Sequence, residues 1–315
     1  MADLYRNNLI IYNPRAGRRN GFKVAKKLQK EFALYGGTIH EMFCANSLDA
    51  MRKFHQENAG NKNNYTLIII IGGDGTIGPN VDAMIKNNIK VPVFPFGRGT
   101  ANDFSSFLKT NVSIKQAACI IANGKTMDVD TLKVSMPNNE NHVNYAVSDA
   151  AGGAFTCGVM KYKGKRILGR WGYLLRAGWH ALWMKSQHVK FSVDNESFQE
   201  HVFLFYIINT KHVGSIKGAA PLARINDRVL DLVCIVKCGL WGRFCIGISA
   251  LFGRLHKSKR IRYRQGKQFR VEIVGKAIRN FTITDTDGNI GGNYPLDVQI
   301  GPQISVVFNK NAKIH

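Results

Sequence analysis

The chain has 315 residues, enough for two domains and a substantial core, and its 45% hydrophobic and 21% charged residues match an ordinary globular protein. Its 44 lysines and arginines against 21 acidic residues leave a net charge of +23 and a pI near 9.9, which predicts attraction to polyanions: nucleic acid, an anionic membrane surface or phosphorylated ligands. Six scattered cysteines without a C-x-x-C pair or zinc spacing exclude a disulfide framework or zinc module, and the longest apolar run, Phe244 to Phe252, is shorter than the roughly 20 residues of a membrane span.

In chain order, Asn8 to Tyr12 reads as a buried strand closed by Asn13-Pro14. Gly21 to Leu34 follows as a helix with Ala25, Leu28 and Phe32 on one stripe, stopped by Gly36-Gly37. Thr38 to Cys44 is a second strand and Ser47 to Asn58 a second helix with Ser47 as N-cap. Tyr65 to Ile71 is a strongly apolar strand that ends in Gly72-Gly73-Asp74-Gly75-Thr76; a helix then runs to Asn88, and Val91 to Phe94 is a fourth strand. This alternation predicts an α/β domain with a doubly wound, mostly parallel sheet over residues 1–125, with ligands beyond the carboxyl ends of the strands. From about Thr126 the pattern becomes β-rich and sandwich-like. Strands are expected at Met127 to Val134, His142 to Ser148, His188 to Val193, Phe203 to Asn209, Leu230 to Val236, Phe269 to Val274, Phe281 to Thr284 and Ile304 to Phe308, with helical segments near 166–185 and 240–256. The second domain is therefore drawn at 126–300, with 301–315 a final strand placed to return to the first domain.

Three turns of the first domain carry chemistry. Gly72 to Thr76 joins a strand to a helix N-terminus, where missing Cβ atoms and exposed N–H groups cradle phosphate and Asp74 can hold a magnesium ion or orient a hydroxyl. Asn13-Pro14-Arg15-Ala16-Gly17-Arg18-Arg19-Asn20 sets three arginines before a helix, suited to nucleotide phosphates. In the stretch Phe96 to Phe104, Thr100 and Asn102 can donate hydrogen bonds and Asp103 supplies a second carboxylate. Taken singly, each has a plain structural explanation as well: a tight turn with a capping aspartate, a solvated basic loop, and a helix N-cap.

In this order and spacing the three turns resemble the diacylglycerol kinase catalytic domain family, which includes sphingosine kinases and bacterial soluble lipid kinases and whose pattern is N-P-x-S-G, G-G-D-G-T and G-T-x-N-D-F. The middle motif also occurs in NAD kinases, but the flanking motifs point to the lipid branch. The likeness extends through Asn144 to Cys157, Tyr206 to Val236 and Thr286-Asp287-Gly288-Asn289 with Pro295, nearly the whole chain. It implies a nucleotide-binding α/β domain, a β-sandwich-like second domain, and transfer of the ATP γ-phosphoryl group to a lipid hydroxyl. It further implies ATP contacts from Asn13, Pro14, Arg15, Ala16, Gly17, Gly72, Gly73, Gly75, Thr76, Thr100 and Asn102, and a catalytic set of Asp74, Asp103, Asp287 and Asn289 working with magnesium. A structural magnesium would be held by Asp227 with the carbonyls of Arg224 and Val229, and Asp128 is a further metal candidate.

The departures are specific. Ala16 stands for the serine of the first motif, Gly78-Pro79 for an Asn-Glu pair, and Asn289 for the glutamate proposed as general base in the family's D-G-E segment. An amide cannot accept the proton. Either Asp287, Asp285 or Asp74 takes over, or the chain is a catalytically impaired relative that binds lipid or nucleotide.

The charge excess sits mainly in the C-terminal part, roughly +16 after residue 130 against roughly +7 before it. All four tryptophans fall between Trp171 and Trp241, and Lys161 to Trp183 and Leu251 to Arg264 mix aromatic or apolar with basic residues, a composition suited to a headgroup layer. The stripe Leu175, Trp179, Trp183 fits equally a helix packed on the sheet, and a basic nucleic-acid-binding protein stays open as the rival class, although no common module for it is present. The expectation is thus a cytoplasmic, peripherally membrane-associated lipid kinase whose partner is a lipid at an anionic surface, with no nucleic acid and with a homodimer left open.

Overall fold

The computed structural model describes residues 6–99, 102–137, 139–153, 183–213, 218–278, 281, 284–287, 289–292 and 294–309. They form two compact units, one made of the described residues up to Thr131 together with those from Pro302 on, the other of Leu132–Gly301. The first unit runs in the order β1 (Asn8–Tyr12), α1 (Ala16–Arg19), α2 (Gly21–Ala33), β2 (Glu41–Cys44), α3 (Leu48–Glu57), β3 (Leu67–Gly72), α4 (Asp74–Lys86), β4 (Val93–Gly97), α5 (Asp103–Phe107), α6 (Ile114–Asn123) and β5 (Thr126–Val129).

β1 pairs in parallel with β2 and β3, and β3 with β4, so the strand order β2-β1-β3-β4 is that of a doubly wound sheet. Parallel sheets are covered on both faces, which explains why β1 and β3 read as unbroken apolar runs. On one face Ala25, Leu28 and Phe32 of α2 and Ala117, Ala118 and Ile121 of α6 pack against Ile10, Ile69, Ile71, Phe94 and Phe96. The alternate residues Leu9, Ile11, Ile68 and Ile70, which the pleat turns to the other face, are buried as completely. The helix ends follow their sequence signals: Ser47 Oγ accepts from Ala50 N at 3.1 Å, and Ser113 and Gln116 form a reciprocal capping box at the start of α6. The consequence for the site is that β1, β3 and β4 end side by side, and the turns that follow them open on one edge.

The second unit contains β6 (Leu132–Met136), β7 (Asn139–Ala146), β8 (Asp149–Gly153), β9 (Gln187–Val193), β10 (Glu196–Ile208), β11 (Leu230–Val236), α7 (Leu240–Leu251), β12 (Ile261–Gly266), β13 (Gln268–Ile273), β14 (Thr284–Thr286), β15 (Asn289–Gly292) and β16 (Leu296–Ile300). Its eleven strands among the described residues pair antiparallel in the order β15-β14-β8-β10-β9-β13-β16-β6-β7, with β11 joining β10 to β12. Val189, Phe191 and Val193 of β9 alternate inward with Phe269 and Val271 of β13, Phe205 and Ile207 of β10 and Leu230 and Leu232 of β11, giving a sandwich-like core. The chain then returns: β17 (Ile304–Val307) pairs parallel with β4 at Val93 and antiparallel with β5.

Three local expectations change. Met127 to Val134 is two strands, not one, because the buried Asp130 and Thr131 turn the chain, held by Gln303 Nε2 to Asp130 Oδ1 at 2.9 Å and Thr131 Oγ1 to the Pro302 carbonyl at 2.6 Å. The first unit therefore extends to Thr131 rather than to 125. β8, Asp-Ala-Ala-Gly-Gly, lacks the β-branched and aromatic residues that announce a strand, yet it is central between β10 and β14. Gly152 explains the composition: a Cβ there would lie 2.0 Å from the Tyr294 hydroxyl and 2.6 Å from the Phe205 ring. β12 hides in the basic stretch because only its two end residues, Ile261 and Gly266, are buried while Arg262 and Arg264 stay exposed. Residues 166–182 of the helix expected near 166–185, with tryptophans 171 and 179, lie outside the described residues, and Trp183 beyond them is exposed.

Asp231, buried at the start of β11, accepts from the Tyr263 hydroxyl and from Gln265 Nε2 at 3.0 Å on one oxygen, while its other oxygen is buried without a partner. Burial pushes its carboxyl up to about 6, against those two donors. Because the folded state holds this proton more tightly than the unfolded chain does, the associated stability is present below about pH 4 and is lost as pH rises through about 6. Urea unfolding across that window should show a loss on the order of 3 kcal/mol in wild type relative to Asp231→Asn, in which the step disappears.

Candidate active site

The three glycine-containing turns sit at the carboxyl ends of β1, β3 and β4 and are bonded to one another. Asn13 is the first tie: its N–H donates to the Ile71 carbonyl at 3.0 Å, and its side-chain amide donates to Thr76 Oγ1 at 2.9 Å. Its Oδ1 also accepts from Arg15 N at 2.9 Å, which bends the chain into α1. The second tie is backbone: Gly17 N donates to the Arg98 carbonyl at 2.9 Å, and Arg98 N to the Gly72 carbonyl at 2.6 Å. The third is contact between chains of atoms rather than side chains. A Cβ on Gly99 would lie 2.5 Å from Gly73 Cα, and one on Gly73 would lie 2.9 Å from Gly99 Cα, so only glycine lets the second and third turns meet.

Asn102 shapes the third turn. It sits in the left-handed region at φ 55°, buried, with Oδ1 accepting from Gly99 N at 2.6 Å and Nδ2 donating to the Gly99 carbonyl at 3.0 Å. The expected hydrogen-bond donor to a ligand is thus engaged in holding its own loop. Thr100 lies outside the described residues. Asp103 is buried at the first position of α5.

Asp74, partly buried at the start of α4, receives the N–H groups of Asp103 on Oδ2 at 3.1 Å and of Phe104 on Oδ1 at 3.3 Å. Burial raises its proton affinity above that of an ordinary carboxylate, and the N–H groups of Asp103 and Phe104 work against that rise. One carboxylate thereby links the second turn to the third and brings Asp74 and Asp103 onto the same turn pair. Arg98 was not singled out from sequence: its guanidinium lies 4.0 Å from the Phe96 ring centre and donates to the Val112 carbonyl at 2.7 Å, bracing the third turn from beneath.

In the second unit Asp287, buried and at φ 49°, accepts backbone N–H groups from Val147 at 2.7 Å, Ser148 at 2.8 Å and Asp149 at 3.2 Å, so both its oxygens are engaged in fixing the β7–β8 turn. Asn289 opens β15, paired with Thr286. Of the metal candidates, Asp128 lies exposed in β5 of the first unit, and Asp227, Arg224 and Val229 lie in the stretch before β11 of the second. Asp227 is exposed and accepts from Val229 N at 3.2 Å. One carboxylate with two carbonyls is a hard oxygen set of the kind magnesium takes. Among the described residues no three His, Cys, Asp or Glu side chains gather to hold a metal.

Residues 7–134 match the model of the diacylglycerol kinase catalytic domain, and residues 164–309 that of the YegS C-terminal NAD kinase beta sandwich-like domain. A diacylglycerol kinase of Bacillus subtilis (strain 168) is 30% identical over 311 residues, covering 96% of both chains. The chain belongs to the diacylglycerol kinase family. A further family relative, a diacylglycerol kinase of Staphylococcus aureus (strain bovine RF122 / ET3-1), is 28% identical over 90% of this chain and 85% of its own. The crystal structure of a diacylglycerol kinase from Bacillus anthracis strain Sterne shares the fold, with a TM-score of 0.75 and 21% identity over 98% of this chain and 99% of that one.

The two roles of Asn102, its two bonds to Gly99 and its left-handed backbone, separate by substitution. Asn102→Gly loses the bonds alone, while Asn102→Ala also strains the backbone, so Asn102→Ala should unfold at lower urea, by about 1 kcal/mol more.

Proposed function

We propose that this protein transfers the γ-phosphoryl group of ATP to the hydroxyl of a lipid, with diacylglycerol, the substrate named in its relatives, as the leading acceptor. The observation that carries this reading is the Gly73–Gly99 contact, which holds two glycine turns together, backbone against backbone, at the carboxyl ends of parallel strands. Glycine turns beside a helix start, at the carboxyl ends of parallel strands, are suited to polyphosphate through their backbone N–H groups.

Asn13 to Gly17, Gly72 to Thr76 and Thr100 would hold the nucleotide, with the exposed Arg15 and Arg19 beside its phosphates. Asp74 and Asp103 would hold a divalent metal ion that, when bound, neutralises phosphate charge. Catalysis is then mainly positioning and charge neutralisation. The proton of the lipid hydroxyl needs an acceptor, and Asn289 is an amide. Asp287 has its two oxygens occupied by three backbone N–H groups, the shortest at 2.7 and 2.8 Å, whereas Asp74 accepts two, at 3.1 and 3.3 Å, and is the less encumbered carboxylate. Asp74 is therefore assigned the proton. Asn289 also favours a second reading, a binding-only relative on the same fold.

Transfer of labelled γ-phosphate from ATP with magnesium to a panel of lipids in mixed micelles decides between them. Asp74→Asn should lower transfer by roughly 10²-fold or more with nucleotide binding retained. Asn289→Glu should raise it; no gain would mean that Asp74 already serves fully. Nucleotide binding without labelled lipid in any preparation would establish the binding-only relative.

A further inference from the structure

Helix α7 is apolar on both sides. Its inner side, Ile246 with Ala250, packs on Val233, Ile235, Leu255 and Ile261. Its outer side presents Leu240, Trp241, Phe244 and Ile248, continued by Phe252, and Leu240, Trp241 and Phe252 are 66%, 74% and 74% exposed. At 100° per residue these five stand opposite Ile246. The Trp241 and Phe244 rings stack at 5.5 Å and form a continuous patch. The one charge on the helix, Arg243, is turned aside over the Phe203 ring at 4.4 Å. A helix apolar all round belongs between two apolar layers, and the protein supplies one of them.

The surroundings identify the other. From residue 232 to 271 there is no Asp or Glu, against ten Lys and Arg, and Arg254, Lys257 and Lys259, directly after α7, are exposed. A second copy of the chain would bring the same basic cluster against this one, at a cost in repulsion. Nucleic acid would satisfy the charge but leave the aromatic face in water. An anionic bilayer satisfies both, with the apolar side chains at the acyl boundary and the cations among headgroups. At 12 residues α7 is too short to cross a bilayer, so it would lie in the interface plane; among the described residues no helix is long and apolar enough to cross. We propose that α7 and the basic segment after it dock the protein on an anionic phospholipid surface, a role that rests on the lipid-kinase reading for its purpose.

Flotation of the full chain with vesicles of phosphatidylcholine alone, or mixed with phosphatidylglycerol, tests this. Wild type should float with the mixed vesicles, be released by high salt, and stay behind with the neutral ones. Trp241→Ser/Phe244→Ser should float about tenfold more weakly, and Lys257→Glu/Lys259→Glu should lose the preference for anionic lipid. Both variants change exposed side chains, and melting curves check that they fold. Both should phosphorylate a short-chain, monomerically dispersed diacylglycerol as wild type does. If no preparation phosphorylates lipid while flotation keeps this pattern, the kinase reading fails and the docking surface stands. Equal flotation of wild type and Trp241→Ser/Phe244→Ser, equal flotation on both vesicle types, or a wild-type dimer that this variant abolishes would overturn the proposal.

Discussion

The meeting of Gly73 and Gly99, backbone against backbone, is the constraint on which the site depends. It places two turns from strands separated by a whole helix within van der Waals distance, with Asn102 clamped on Gly99 and the Gly17 and Arg98 amides closing the circuit. None of these bonds is strong by itself, since each contributes on the order of 1 kcal/mol. They hold because the register beneath them is rigid: Gly72 pairs with Gly97 at the end of a ladder that begins at Ile68 and Val93, in a sheet buried on both faces. A one-residue slip would reverse every side chain of β3 or β4 and remove the cradle with it.

The second unit shows how a motif residue can serve structure and sequence pattern at once. Asp287 belongs to the segment that the family resemblance assigns to catalysis, yet its carboxylate gathers three consecutive backbone N–H groups of the β7–β8 turn. Three consecutive donors at a turn suit an anionic acceptor, and an aspartate in the left-handed region reaches them. The absence of the family glutamate at Asn289 therefore shifts attention to carboxylates in the first unit, where Asp74 is raised by burial and aimed at the turn pair.

Charge and shape divide the labour of recognition. Phosphate is a small anion met by backbone N–H groups, which need close approach and hence glycine. A lipid surface is an extended anion with an apolar interior, met by aromatic side chains beside lysine and arginine. In the proposed reading the chain would keep these two means in separate stretches of sequence: glycine turns before residue 104, and an aromatic and basic stretch without acidic residues from 232 to 271.

Much of this was legible in the sequence alone. The α/β class, the strands β1 and β3, the caps at Ser47 and the order of the three turns follow from periodicity, turn chemistry and motif spacing, which are local properties. The position of β8 was not, because its alanines and glycines answer to Tyr294 and Phe205, more than fifty residues away. Nor was the engagement of Asn102, Asp74 and Asp287 as acceptors and clamps, since a polar side chain announces its chemistry in sequence but not its partner. Residue type set what each group can do; only the tertiary structure decided which of those capacities the backbone had already used.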